Sequence, residues 1–338
     1  MFDVRPALAA APDLADAVRR LSRASALVIG DATLDRFIHG HMQRAKADPL
    51  LVEESEVALP GGAGNLVRNL TALGAAVAFI AVVGDDQAGS DLTGLIGGQP
   101  HVEPWLLVEG GRTTTVATRY IASGRVLLRT VREETAPLGD RLAERVLRIA
   151  RDAAAATAVT VLSDHGNGLL AGALPAQLIA AARKSARPVV VVPNGPDCDR
   201  FRGADVIMPT EFDLAEATGL PVATERDAGL AAAALLERGG FGAVLAMRSG
   251  SGMTLAGPDG VQHFPDDDAG TGDSAAASDA AVATLACALG SKLELRIGAR
   301  LAGIAAAAAA AAGSAAGVAR QEDLLAAVPP AHASSGRL

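Results

Sequence analysis

The sequence predicts an α/β protein: a mainly parallel sheet covered by helices on both faces, with a small β-sheet projecting as a lid. Three observations carry that reading. Short apolar runs rich in β-branched residues, bounded by Gly, Asp or Pro, alternate with Ala/Leu-rich segments of helical spacing. The apolar runs are continuous rather than alternating, as strands buried on both faces must be. Two segments, 36–58 and 112–134, break the alternation with strand-like patterns of their own.

In chain order, residues 1–24 form an N-terminal extension in which Asp3, Asp13 and Asp16 interrupt the apolar residues. That is the pattern of an amphipathic helix, not of a signal peptide. A single domain is expected over 25–328, with strands at 26–30, 77–84, 159–164, 188–193, 204–209 and 243–249. Helices are expected at 62–74, 86–96, 138–156, 172–185, 211–218, 225–238, 273–289 and 294–317. The second lid segment reads as a hairpin turning at Ser123-Gly124. Residues 329–338 read as a flexible tail.

Composition excludes several classes of function. Lys and Arg total 30 against 38 Asp and Glu, a net charge of −8, and no basic run exceeds two residues. A phosphate-tracking nucleic-acid surface needs the opposite. Two cysteines, Cys198 and Cys287, build no disulfide framework and fit a reducing, cytoplasmic setting. The uncharged stretch 301–319 approaches a membrane span in length, but it is mostly alanine and buries too little surface to drive insertion. It reads instead as a helix packed closely on its neighbours.

Chemistry concentrates in two glycine-bearing segments. Gly270-Thr271-Gly272 leads to Asp273 and directly into an alanine-rich helix. Backbone amides there can face an anion, and a carboxylate at the helix start can accept a proton from an attacking hydroxyl. The same carboxylate could simply cap the helix, and local pattern leaves both readings open. Upstream, Pro60-Gly61-Gly62-Ala63-Gly64-Asn65 lets a polar ligand lie against backbone, with Asn65 able to donate and accept. No GxxxxGK[ST] or GxGxxG fingerprint is present, and His39 and His41 lack a third metal ligand.

Together these segments resemble the ribokinase-like (PfkB-type) carbohydrate kinases. The opening Gly30-Asp31 and Asp35, the 60–65 glycine segment and the late 270–273 motif stand in the family's order. Within that family the likeness is closest to kinases that phosphorylate D-glycero-D-manno-heptose 7-phosphate at C1, a step in lipopolysaccharide precursor synthesis. It rests on GDATLDRFIHG (30–40), PGGAGNLVRNLTALGA (60–75), RTTTVATRYIASGRVLLRTVREE (112–134), LSDHGNGLL (162–170) and the 192–219 segment.

The resemblance implies a three-layer α/β/α core with a β lid, and Mg-ATP as phosphoryl donor. It implies sugar contacts at Asp35, Arg44, Gly61, Gly62, Asn65 and Arg129. Asp273 would be the base and Gly270, Thr271 and Gly272 the anion hole. ATP would lie along Asn194, Thr210, Asp213 and the turn of Arg248, Ser249, Gly250 and Gly252, with no direct protein ligand to magnesium and Asp213 acting through water. A homodimer through the lid is a further expectation. The sequence holds no second nucleotidyl-transferring domain, so a fused adenylyltransferase is not expected.

The chain also departs from the family pattern. Thr210-Glu211-Phe212-Asp213 stands where Asn-x-x-Glu is usual, Val192-Pro193-Asn194 where Asp-Pro-Lys is usual, and Ala117 where a lid Lys is expected. The stretch between Pro265 and Gly270 looks short, and Gly303-Ile304 lacks an adenine-facing Asn. These losses cluster on the ATP side. They make a non-catalytic sugar-phosphate-binding or regulatory relative the competing expectation, with a kinase for another sugar as the third.

Overall fold

The computed structural model describes residues 13–43, 48–265, 274–311 and 318–328. Helix α1 (Leu14–Arg20) is capped by Asp13, whose carboxylate accepts from the Ala15 and Asp16 amides. Strand β1 (Ser25–Gly30) follows, and the chain then rises into the lid through β2 (Ala32–Gln43) and returns along β3 (Leu50–Gly62). Next come α2 (Ala63–Ala72), β4 (Ala76–Gly84), α3 (Gln87–Gly97) and β5 (Val102–Glu109). The lid is completed by β6 (Val116–Ala122) and β7 (Arg125–Arg132), joined at Ser123-Gly124 as the hairpin pattern requires.

The second half alternates α4 (Asp140–Ala156), β8 (Val159–Ser163), α5 (Leu174–Lys184), β9 (Val189–Val192), β10 (Val206–Ile207), α6 (Glu211–Thr218) and α7 (Glu225–Gly239). It closes with β11 (Ala243–Arg248), β12 (Gly252–Gly257), β13 (Gly260–Phe264), α8 (Ser274–Gly290), α9 (Leu295–Ala311) and α10 (Gln321–Ala327).

The main sheet has nine strands in the order β13-β12-β11-β10-β9-β8-β1-β4-β5, parallel except for the β11-β12-β13 meander. The lid is a four-stranded sheet, β3-β2-β6-β7. Alternate residues of each central strand enter opposite cores. Ala26 and Val28 face the layer holding α2, α8 and α9, whereas Leu27 and Ile29 face the layer of α4, α5 and α7. This is the three-layer arrangement the sequence implies.

Alanine sets the spacing of the first layer. Ala281, Ala283, Ala286 and Ala288 of α8 and Ala299, Ala302 and Ala305 of α9 are buried in one cluster. Small side chains let the helix axes approach closely, so this core gains its contacts from proximity instead of bulk. Gly30 has the same function at the end of β1: a Cβ there would lie 2.3 Å from the Ser163 carbonyl oxygen and 2.9 Å from the Ala63 Cβ.

The candidate active site

The parallel strands β1, β8, β9, β10 and β11 point their C-terminal ends at one cavity of about 340 Å³, covered by the lid. Open α/β sheets place ligands at that end. The lid contributes alternate residues, as a pleated strand must: Thr33, Asp35 and Phe37 from β2, Ala117 and Arg119 from β6, and Arg129 and Val131 from β7 line the cavity. A larger groove of about 610 Å³ lies at the N-terminal ends of β1, β4 and β5, beside α4 and Trp105, away from these groups.

Four sugar-side residues expected from the sequence, Asp35, Gly61, Gly62 and Asn65, line this cavity, as does Arg129. Asp35 is held from two sides: Thr33 Oγ1 donates to its Oδ1 at 2.9 Å, and Arg119 Nη1 to its Oδ2 at 3.0 Å. Arg119 also stacks 5.1 Å above the Phe37 ring. Gly61 must be glycine, because a Cβ would stand 2.3 Å from Asp35 Oδ1. The 60–65 segment is not a loop. Strand β3 runs through Gly62, whose φ of 56° turns the chain directly into α2. Asn65 therefore sits inside the first turn of α2 rather than capping it.

The buried Asn65 makes the contact that organises the site. Its Nδ2 donates to Asp279 Oδ2 at 2.6 Å, joining α2 to α8, and Arg68 Nη1 donates to its Oδ1 at 2.8 Å. Asp279, Ala276, Ser278 and Arg68 all line the cavity. Desolvation pulls the Arg68 guanidinium below its ordinary pKa, opposed by the charges of Asp279 and Asp35. The sequence reading missed Asp279, which lies in the alanine-rich start of α8 just downstream of Gly-Thr-Gly-Asp. Residues 270–273, expected to carry the base and anion hole, and Arg44 lie outside the described residues.

A fully buried carboxylate shapes the cavity wall. Asp31 accepts the backbone N–H groups of His165 (3.0 Å), Asn167 (3.1 Å) and Leu169 (3.1 Å). It thereby fixes the loop that presents Asp164, His165 and Asn167 to the cavity. Burial pushes the His165 imidazole below its ordinary pKa against the pull of Asp31 and Asp35, and its Nε2 lies 3.0 Å from Ser163 Oγ. Burial also raises Asp164 to about 6, although Arg200 pairs with it and the Gly166 amide donates to it.

A carboxyl whose folded pKa is raised contributes stability below its unfolded pKa and loses it as pH rises through the folded value. For Asp164 that window runs from about 4 to about 6. Taking the protein from pH 4 to 7 should cost about 2 kcal/mol through this group, at 1.36 kcal/mol per pKa unit and with the unfolded carboxyl already partly ionised at pH 4. Urea unfolding of Asp164→Asn across that range should show a flatter stability profile than wild type; identical profiles would refute the attribution.

Asn194, Thr210 and Asp213, expected along ATP from the resemblance, line the same cavity. Asp213 is committed to structure: its carboxylate accepts from Thr210 Oγ1 (2.6 Å) and from the Gly195 amide (2.9 Å), while Thr210 Oγ1 caps the Asp213 amide. This capping box starts α6. Among the described residues no three His, Cys, Asp or Glu side chains converge on a metal position. Arg248 and Gly252 flank the β11-β12 turn, and Gly250 has φ 65°. None of Arg248, Ser249, Gly250 and Gly252 lines the cavity, although the adjacent Met247 does.

A lid over the ends of parallel strands, closing on a cavity lined by carboxylates, amides and arginines, is the arrangement expected of a sugar kinase. Residues 7–322 match the model of the pfkB family carbohydrate kinases, and this chain belongs to that family. It is 52% identical over 322 residues to the bifunctional protein HldE of Acidiphilium cryptum, covering 94% of this chain and 66% of that protein. Against the bifunctional protein HldE of Rhodospirillum rubrum the identity is 42%, covering 87% of this chain and 60% of the relative. The chain thus spans roughly two thirds or less of the curated relatives it matches.

Among solved structures, an Arabidopsis thaliana ribokinase complexed with ribose and ATP superposes with TM-score 0.69 at 19% identity, covering 90% of this chain and 98% of that one. Escherichia coli phosphofructokinase-2 in complex with potassium gives 0.75 at 17%, covering 89% and 97%. At these identities the superpositions establish the fold. Among the described residues no helix is long and apolar enough to cross a membrane.

Proposed function

We propose that this chain transfers the γ-phosphoryl group of ATP to the C1 hydroxyl of D-glycero-D-manno-heptose 7-phosphate, in the cytoplasm. The observation that carries the reading is the Asn65–Asp279 contact at 2.6 Å, inside a cavity lined on one side by Asp35, Gly61 and Gly62 and on the other by Asn194 and Thr210. The likeness to HldE proteins supplies the choice of sugar.

In this reading Asp35 and Asn65 bind and orient sugar hydroxyls. Asp279 accepts the proton of the attacking hydroxyl. The sugar oxygen bonds to the γ-phosphorus as the bond to the β–γ bridging oxygen breaks, and ADP leaves. Asp273, expected as base from the sequence, is the alternative proton acceptor, with the amides of Gly270, Thr271 and Gly272 as anion hole. Magnesium supplies charge neutralisation on the ATP phosphates; the chain's own part is to position the acceptor and exclude water beneath the lid. Exposed Val57, Val126, Leu127 and Leu128 on the lid favour pairing of two chains there, which light scattering reads as a doubled mass.

The test is ADP release by the purified protein with ATP, Mg²⁺ and a panel of sugars and sugar phosphates. Turnover should be greatest with the heptose phosphate. Binding of that sugar without ADP release from any member would favour the non-catalytic reading, which the committed Asp213 carboxylate and Ala117 would then explain.

A further inference from the structure

One buried side chain outside the cavity ties two of its walls together. Arg112 stands four residues before β6, its side chain 7% exposed, and reaches three separate stretches of chain. Its Nε donates to Glu109 Oε2 at 2.5 Å, its Nη1 to the Asn167 carbonyl at 3.0 Å and its Nη2 to the Ala136 carbonyl at 2.6 Å. Ala136 lies four residues past β7, so both roots of the β6–β7 lid hairpin meet at this guanidinium. Glu109 carries the tie into the core, because its Oε1 accepts the amide of Gly139, the residue before α4, at 3.2 Å. The Asn167 peptide is gripped from both ends, its N–H by Asp31 and its C=O by Arg112. Gly168 lets the same loop press against the hairpin exit: its φ is 89°, and a Cβ there would stand 2.1 Å from the Ala136 carbonyl oxygen. Arg112 itself does not line the cavity.

We propose that Arg112 is a positioning residue: it sets the gap between the lid hairpin and the wall formed by residues 164–167, and so the fit of the acceptor sugar. Hairpin residues Ala117, Arg119, Arg129 and Val131 line one side of the cavity, and Asp164, His165 and Asn167 line another. Each group is fixed internally. Cross-strand pairing holds the first, and the Asp31 carboxylate holds the second. What relates them is the guanidinium, whose planar fork sets the directions of its donors. Its contacts to the two carbonyls are charge-assisted, and so stronger than neutral ones. The ties of Arg112 reach neither Asn194 nor Thr210, the residues expected along ATP. Its loss should therefore loosen the acceptor and spare the nucleotide.

This deepens the kinase reading and rests on it for the identity of the acceptor. Arg112→Met keeps an unbranched stem and removes every donor. Its Kd for heptose 7-phosphate, measured by calorimetry without ATP, should rise about 10- to 100-fold, as misplacement of a binding wall does. In turnover the KM for the sugar should rise in step, while the KM for ATP stays within about twofold. Partial unfolding would instead lower apparent kcat and leave both KM values alone, which overturns the inference. Hydrogen exchange read by mass spectrometry gives a measure free of any substrate. Arg112→Met should speed exchange at 133–138 and 165–169 together, with the β8 and β9 amides unchanged. Arg112→Lys returns the charge but not the fork, and should recover part of the affinity; it also carries the test if the methionine variant does not fold. Unaltered sugar affinity overturns the positioning role, as does exchange that quickens at one segment alone. If wild type binds the sugar phosphate without turning it over and Arg112→Met weakens that binding, the positioning role stands and the kinase reading falls.

Discussion

Asp279→Asn should lower kcat for heptose 7-phosphate by about 10²- to 10⁴-fold, the usual worth of a positioned general base. The substitution is nearly isosteric, and the amide oxygen can still accept from Asn65 Nδ2, so the α2–α8 contact should survive. Binding of both substrates should be close to wild type, placing the loss in kcat rather than KM. Asp273→Asn, made in parallel, separates the two carboxylates. If Asp279 is the base, the Asp273 variant keeps most of its turnover. Full activity in Asp279→Asn with collapse in Asp273→Asn would move the base six residues upstream. Thermal melts of both variants distinguish lost chemistry from lost fold.

Asp31→Ala should be the most destabilising single change at the site. Its carboxylate is 4% exposed and accepts three backbone amides from one loop. Removing it leaves those donors with no protein partner, at a cost of about 1–3 kcal/mol for each that water cannot reach, so about 3–5 kcal/mol in all. A fall of that size in urea unfolding free energy should accompany loss of sugar binding, because the same loop carries Asp164, His165 and Asn167. Asp31→Asn keeps one acceptor oxygen but turns an NH₂ toward the amides, and should lie between the two. A loss under about 1 kcal/mol in Asp31→Ala would mean that water or loop movement replaces the carboxylate.

Most of the fold could be read from local pattern. The apolar runs at 26–30, 77–84, 159–164 and 243–249 became β1, β4, β8 and β11, and the lid segments became β2, β3, β6 and β7. Strand β5 escaped notice because it is an edge: Glu103, Pro104 and Trp105 interrupt its apolar run, and only a strand paired on one side tolerates them. Strands β12 and β13 were hidden by glycines and by their antiparallel, half-exposed character.

The site was legible where it is local. Asp35, Gly61, Gly62 and Asn65 lie on adjoining stretches whose chemistry shows in the sequence. Asp279 was not, because its meaning depends on a partner 214 residues away and on which face of α8 meets α2. An acid inside an alanine helix looks like a solvated position until that packing is known. Arg119 was hidden for the same reason: only the strand register sets it opposite Arg129 and beside Asp35.

Strand β3 is 13 residues long, carries one bulge at Glu54 opposite His39 and Gly40, and passes from the lid directly into the helix that bears Asn65. At about 3.3 Å per residue it spans at most roughly 40 Å. The cover of the chamber and the helix that carries Asn65 are thus one continuous stretch of chain, hinged by no intervening loop.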